Sequence, residues 1–542
     1  MEVREIPLGA TTLLATDYIN GVFPTEKGFS YSLKAEDVFW RRLSDIKDRA
    51  YLRRELVEYL RSYHKRFQAS SKTMENIEKL LDRESVVVVG GQQAGLLTGP
   101  LYTIYKIITI ITLAKEQERQ LGVPVVPIFW IAGEDHDIAE VNHVYVVEDG
   151  KMKKMVYPHA PQEKRMVADV PLDRQIGYEW VTSVVKTYGE TETTNKLLDF
   201  LFRCLEESQT FVDFFASIVL RLFASEGLVV LNAADAGLRT LESGFFTVLV
   251  ERHREITAAV LQKQEELRRL GYKQMLDIHA HSANLFYYDG RERWLLEYDP
   301  QKEMFRSKKG NIMLAKEELM QLAKTKPACL SNNVVTRPLM QEFLLPTLAF
   351  VAGPGEIAYW AELKEAFSVF GLQMPPVVPR VQMTIVERSI QTDLADIGID
   401  IMDVLEGRIE AVKQQWLAKK ARYPLEDLFA KAKEEIEEIH RPLREIGMEI
   451  DRGLAGVLTK NAAFVQAQID FLQQTLQKAL IRKYEAELQK FLRVEMSLRP
   501  DGAPQERIWN IFYYINKYGF DFVEKLLQLN GHWNGMHKIV YI

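Results

Sequence analysis

Cysteine is nearly absent from this chain: two occur in 542 residues, Cys204 and Cys329. So small a supply excludes a disulfide framework and points to a reducing, cytoplasmic compartment. Cys204 lies in the helical pattern DFLFRCLEES and reads as a core residue, because free cysteine packs as a small hydrophobe. Long apolar runs are missing as well. None reaches the ~20 residues that a membrane span requires. The opening MEVREIPLGATTLLATDYIN has early charges and no sustained apolar stretch, so we expect neither a signal peptide nor a membrane partner. No long basic run accompanies the formal charge of −6, which leaves no case for nucleic acid. Neither the dinucleotide fingerprint GxGxxG nor the Walker pattern GxxxxGK[ST] occurs. What is present is an ordinary globular composition, 47% hydrophobic and 27% charged, in a chain longer than one core usually organises.

The densest information lies between Val86 and Asn142. Val86 to Val89 is a β-branched apolar run suited to a buried parallel strand, halted at Gly90-Gly91. A helix should begin near Pro100, which fits a first helical turn, and Ile104, Ile107, Ile108 and Ile111 recur at helical spacing. Val126 to Ala132 reads as a second buried strand, so the unit is a right-handed parallel crossover. Both loops then leave the carboxyl ends of neighbouring strands, where open α/β sheets bind their ligands. Leu228 to Leu231 and Thr347 to Val351 read as further buried strands, with a helix starting near Ala236. Ala283 to Asp299 reads as a hairpin about Asp289-Gly290, inserted on the parallel core. The fold class is therefore α/β.

Residues 390–500 differ: glutamate, lysine and glutamine dominate. Leu425, Leu428, Ala432, Ile436, Ile439, Leu443, Ile446 and Ile450 step by three and four, the seam of a coiled coil, and Val465, Ile469, Leu472, Leu476 and Leu480 continue it. Two long antiparallel helices are expected, with a kink or break at Pro442. A long exposed seam needs a partner, so we expect a homodimer; an intrachain packing arm is the alternative. The boundaries expected are a helical segment at 1–85, a core at 86–388 with insertions at about 145–225 and 270–330, the coiled coil at 389–503, and an aromatic tail at 504–542 that returns to the core.

Three polar loops carry the candidate chemistry. In Gly90-Gly91-Gln92-Gln93-Ala94-Gly95 and Thr98-Gly99-Pro100, glycines allow close backbone approach, and the helix start favours an anion. Tyr102 and Lys106 lie one turn apart beside it. The bland alternative is a tight structural turn. Gly133-Glu134-Asp135-His136-Asp137 packs four ionisable residues after an apolar strand, which suits a cleft. Carboxylates beside a histidine can orient it as a base or ligate a metal together with His143, although the spacing matches no well-marked zinc pattern. A helix cap built from Asp135 or Asp137 is the plainer possibility. In the third segment, Asn333 and Arg337 precede a helix; Arg337 offers a planar fork for carboxylate or phosphate, or a structural ion pair. Glu356, after Gly353-Pro354-Gly355, could hold an amine, with Tyr359 and Trp360 nearby or simply in the core. Gln92, Asp135, Asn333 and Arg337 should line one pocket.

GQQAGLLTGPLYTIYK, WIAGEDHDIAEVNH, SNNVVTRPL and AGPGEIAYW resemble, in this order, the motifs of the BshC family, the proposed cysteine-adding enzymes of bacillithiol biosynthesis. The resemblance covers essentially the whole chain. It implies a Rossmann-like parallel-sheet core with inserted connecting segments plus an antiparallel, dimerising coiled coil. The implied reaction is ligation: cysteine joined through an amide bond to glucosaminyl-malate, the last step of the pathway. Under it, Arg337, Lys106 and the glycine-rich loop would hold the malate, and Glu356 or Asp135 the cysteine ammonium. His136, between Asp135 and Asp137, would be the base that deprotonates the glucosamine amine. Gln92, Gln93, Thr98, Tyr102, Asn333 and Tyr359 complete the implied binding set, with no metal. The cofactor stays open between ATP, another nucleotide and none, since HxGH, KMSKS and Walker signatures are all missing. Two other functions remain: a metal-dependent hydrolase or deacetylase acting at Glu134 to Asp137, and a non-catalytic assembly protein built on the coiled coil.

Overall fold

Strands buried on both faces need no polar alternation, and the β-branched runs form five of them: β1 (Val86–Gln92), β2 (Val125–Ile131), β3 (Val229–Asn232), β4 (Thr347–Ala352) and β5 (Val377–Pro379). The computed structural model describes residues 1–159, 163–421, 424–529 and 534–542. All four pairings in this sheet are parallel, in the order β5-β4-β1-β2-β3. Read from the β3 edge, this is the 3-2-1-4-5 order of a Rossmann-like sheet. The winding reverses between β1 and β4, and a crevice opens at their carboxyl ends. β1 does not halt at the paired glycines. It continues through Gly90 and Gly91 to Gln92, in register with Phe129, Trp130 and Ile131. A Cβ on Gly91 would stand 2.7 Å from the Trp130 carbonyl oxygen, so close packing of the two strands requires glycine there.

Helix α1 (Leu101–Leu121) links β1 to β2. Its approach is unusual: Leu97 and Thr98 both take positive φ, +51° and +68°. Non-glycine residues there cost on the order of 1–2 kcal/mol each, and the C-terminal segment holds them. Asn510 Nδ2 donates to the Leu97 and Gly99 carbonyls at 2.7 and 2.8 Å, and the Leu101 amide donates to the Trp509 carbonyl at 2.9 Å. The aromatic tail thus packs on the core; Trp533 lies outside the described residues.

Helix α2 runs from Ala236 to Arg269. The hairpin after it pairs Ser282–Tyr288 with Arg293–Asp299, and Gly290 takes the positive φ in the turn. This hairpin is the middle of an antiparallel five-stranded sheet, not an isolated insertion. Its edge strand Leu330–Asn332 leads directly into helix α3 (Thr336–Leu344). The third polar loop therefore leaves this second sheet rather than the parallel one. Helix α4 (Pro354–Trp360) follows β4, and Trp360 stacks on Phe350 at 4.1 Å. Leu56 and Leu60 of the N-terminal helices join the same core cluster as Phe350 and Trp360, and Tyr63 is buried as well.

Contacts divide the chain into two compact units, Met1–Thr384 with Glu506–Val540, and Ile385–Gln505 with Tyr541–Ile542. The second unit contains α5 (Leu425–Ile450) and α6 (Ala455–Lys483), which run antiparallel. Lys433 meets Asp470 at 2.6 Å and His440 meets Asn461 at 2.9 Å. Of the kink or break expected at Pro442, the break does not occur: α5 continues through it as one helix. Arg444 bridges back to Glu437 and His440 across that turn, and α6 packs alongside. The heptad seam is also split. Ala432 and Ile436 are half-buried, whereas Ile439, Leu443, Ile446 and Ile450 are 71%, 59%, 53% and 76% exposed. Among the described residues, no helix is long and apolar enough to cross a membrane.

Candidate functional site

A cavity of about 630 Å³ opens over the carboxyl ends of β1 and β2, roofed by the hairpin of the second sheet. Gln92, Gln93, Asp135, His136, Asn333, Arg337, Glu356 and Tyr359 all line it, so four chain segments converge there. Asp137, Thr98, Tyr102 and Lys106 do not. Asp137 is exposed, and Thr98 is buried in the strained turn before α1. Tyr102 lies 5.8 Å from each of the Arg380 and Arg507 guanidinium groups, and Arg380 is itself paired with Glu506.

Lys106 is buried and fully engaged. Its ammonium donates to the Gly91 carbonyl at 2.6 Å, to Gln92 Oε1 at 3.1 Å and to Glu356 Oε2 at 2.5 Å. Burial lowers its pKa, and Glu356 opposes that shift. Glu356 Oε2 also accepts from the Gly353 amide, so the side chain reaches back over the start of α4. The expected roles, Lys106 on malate and Glu356 on ammonium, thus compete with a contact the two already make with each other. The anion site expected at the start of α1 meets a similar obstacle, since the Trp509 carbonyl takes the Leu101 amide.

The loop after β2 is held from several sides. Asp135 Oδ1 accepts the His136 amide at 2.7 Å and the Asp137 amide at 3.4 Å. Its Oδ2 accepts from Gln93 Nε2 at 2.6 Å, and the same nitrogen donates to Glu140. Asn333 is likewise occupied: Oδ1 accepts the Val335 and Thr336 amides and Nδ2 donates to Asn284. It forms an Asx turn leading into α3 while lining the cavity.

Arg337 is different. Its Nη1 donates to Gln341 at 3.1 Å, and the guanidinium lies 5.1 Å from the Phe350 ring. Among the described residues it has no ion-pair partner, and its buried Nη2 has no hydrogen-bond acceptor. Tyr359, beside it, has its pKa raised to about 12 by burial, partly offset by the Arg337 charge.

Arg293 belongs to the site although no sequence pattern marks it. It stands at the start of the second hairpin strand, buried, with its guanidinium 3.7 Å over the Phe286 ring. Nε donates to Ser331 at 2.9 Å, Nη2 to the Asn332 carbonyl at 2.5 Å, and Nη1 to His136 Nδ1 at 3.4 Å. Burial pushes its pKa down to about 10. Burial and the Arg293 charge together lower the His136 pKa. Glu134, 4% exposed, and Asn332 also line the wall, each with a buried polar atom lacking a partner among the described residues. Among those residues, no group of three or more His, Cys, Asp or Glu is arranged to hold a metal ion.

Residues 1–381 match the family described as "Bacillithiol biosynthesis BshC, N-terminal Rossmann-like domain", and residues 383–542 match its C-terminal coiled-coil domain. Over 542 residues the chain is 80% identical to a relative from Geobacillus sp. (strain WCH70), 67% to one from Geobacillus thermodenitrificans and 50% to one from Anoxybacillus flavithermus. Each alignment covers 100% of both chains, and each relative is named "Putative cysteine ligase BshC".

Proposed function

The chain belongs to the bacillithiol-biosynthesis BshC family, and from that membership we propose that it joins cysteine to glucosaminyl-malate through an amide bond. The observation that carries the proposal at the level of residues is the charge distribution in the cavity. Arg337 is a half-buried cation without an ion-pair partner among the described residues, and Glu134 and Asp135 face the same space from the loop after β2. A substrate pair carrying carboxylates and amines needs both signs in one enclosure. Arg337 takes a carboxylate, of malate or of cysteine, through its planar fork. Glu134 and Asp135 receive an amine, Gln92 and Tyr359 supply neutral polar contacts, and His136 stands between the loop and the roof.

The same proposal covers assembly and compartment. The apolar stripe Ile439, Leu443, Ile446 and Ile450 on α5 is covered by a second copy of the chain, making a homodimer. The enzyme works in the cytoplasm, where its two free thiols stay reduced.

Purified protein incubated with L-cysteine and glucosaminyl-malate, with and without a nucleoside triphosphate, should yield the amide-linked thiol by mass spectrometry. Arg337→Ala should abolish it. Failure of the wild-type protein to form the product in either condition would sink the ligase assignment.

A further inference from the structure

We infer that Arg293 is a positioning residue that sets the tautomer of His136, so that His136 offers Nε2–H to a substrate oxygen as a hydrogen-bond donor and is not a base. The inference rests on the proposal that this cavity is the ligation site.

A guanidinium has only donors, so the 3.4 Å contact from Arg293 Nη1 requires His136 Nδ1 to accept. A neutral imidazole has one accepting and one donating nitrogen, which leaves the proton on Nε2. Asp135 Oδ1 is 3.9 Å from Nδ1, beyond hydrogen-bond range. Both of its oxygens are already in use, by two backbone amides and by Gln93. Arg293 has no freedom to withdraw, because Ser331 and the Asn332 carbonyl hold two of its nitrogens and the Phe286 ring lies against its plane.

The surrounding charges agree with a neutral ring. Arg293 and Lys164 disfavour the imidazolium, Asp135 and Asp137 favour it, and burial is the largest influence against it. Among the described residues, Nε2 has no hydrogen-bond partner, while His136 itself lines the cavity. A fixed neutral donor in a partly enclosed site stabilises charge gathering on an oxygen without passing through an imidazolium. The deprotonated nitrogen a base would need is the one Arg293 occupies.

The test reads the tautomer directly. In protein labelled with ¹⁵N-histidine, the His136 signals are identified by their loss in His136→Gln. Wild type should show a pyridine-type shift on Nδ1 and a pyrrole-type shift on Nε2 at neutral pH. Arg293→Met, checked for folding by its melting curve, should convert this to a tautomer mixture. In ligation assays His136→Gln, whose amide restores an N–H near the Nε2 position, should keep kcat within about tenfold, whereas His136→Ala should lose about 10²-fold. A proton on Nδ1 in wild type, or loss of one limb of the pH–rate profile in His136→Gln, would overturn the inference. If wild type makes no amide product, the ligase proposal fails separately, and the ¹⁵N shifts still decide the tautomer.

Discussion

Lys106 and Glu356 meet at 2.5 Å across the crevice between β1 and β4, joining α1 to the cap of α4 at the point where the sheet reverses its winding. Three acceptors surround the ammonium, so its burial is compensated. Its neighbours Gln92 and Glu356 carry this geometry into the cavity wall.

Lys106→Met should therefore destabilise the protein by about 3 kcal/mol, the usual scale for breaking a buried ion pair from one side. Glu356→Gln should cost at least as much, because it leaves the buried ammonium without its counter-charge. Urea unfolding midpoints check both. A Lys106→Met protein as stable as wild type would mean that the pair does not hold the crevice together.

Arg337→Lys keeps the charge and loses the fork. Substrate binding should weaken about tenfold, which is ~1.4 kcal/mol, with little change in melting temperature. Calorimetric titration with glucosaminyl-malate and with cysteine identifies which carboxylate it serves. A drop of several degrees in melting temperature with unchanged binding of both would make Arg337 a scaffold residue instead.

Ile439→Glu combined with Leu476→Glu should give monomers by light scattering at micromolar concentration. Both side chains are exposed on the α5–α6 hairpin, at 71% and 40%, so charge there leaves the fold of one copy intact. A monomeric wild type would leave the exposed stripe without its proposed partner.

Stability should fall as pH drops through the range set by His64. Its Nδ1 contacts the Leu60 carbonyl and its Nε2 accepts from the Val230 amide, which ties the N-terminal helices to β3. Burial lowers its pKa to about 4, against an unfolded value of 6.5. The unfolded chain thus binds the proton first. The contribution is fully present above pH ~6.5 and about 3 kcal/mol is lost as pH falls to ~4. Urea midpoints at pH 7 and pH 4.5 measure the loss, and His64→Gln should flatten the slope. An unchanged slope in that variant would place the proton uptake elsewhere.

Local pattern was enough to read the parallel strands from Val86, Val125, Val229 and Thr347, because a strand buried on both faces is a continuous apolar run wherever it occurs. The helical pair was legible for the same reason: a repeat of three and four steps is a property of consecutive residues. Even the clustering of polar residues after β2 and β4 followed from where loops of such a sheet must emerge. What those side chains are free to do was decided only by tertiary structure. Lys106 is matched to a carboxylate 250 positions away, and His136 to a guanidinium 157 positions away. Asn333 and Asp135 line the cavity yet use their polar atoms on backbone amides, while Arg337 keeps an unmatched donor. The face of the α5–α6 hairpin left open was settled in the same way. Periodicity depends on neighbours along the chain, whereas the state of a hydrogen-bonding group depends on which distant atom packing brings within about 3 Å of it.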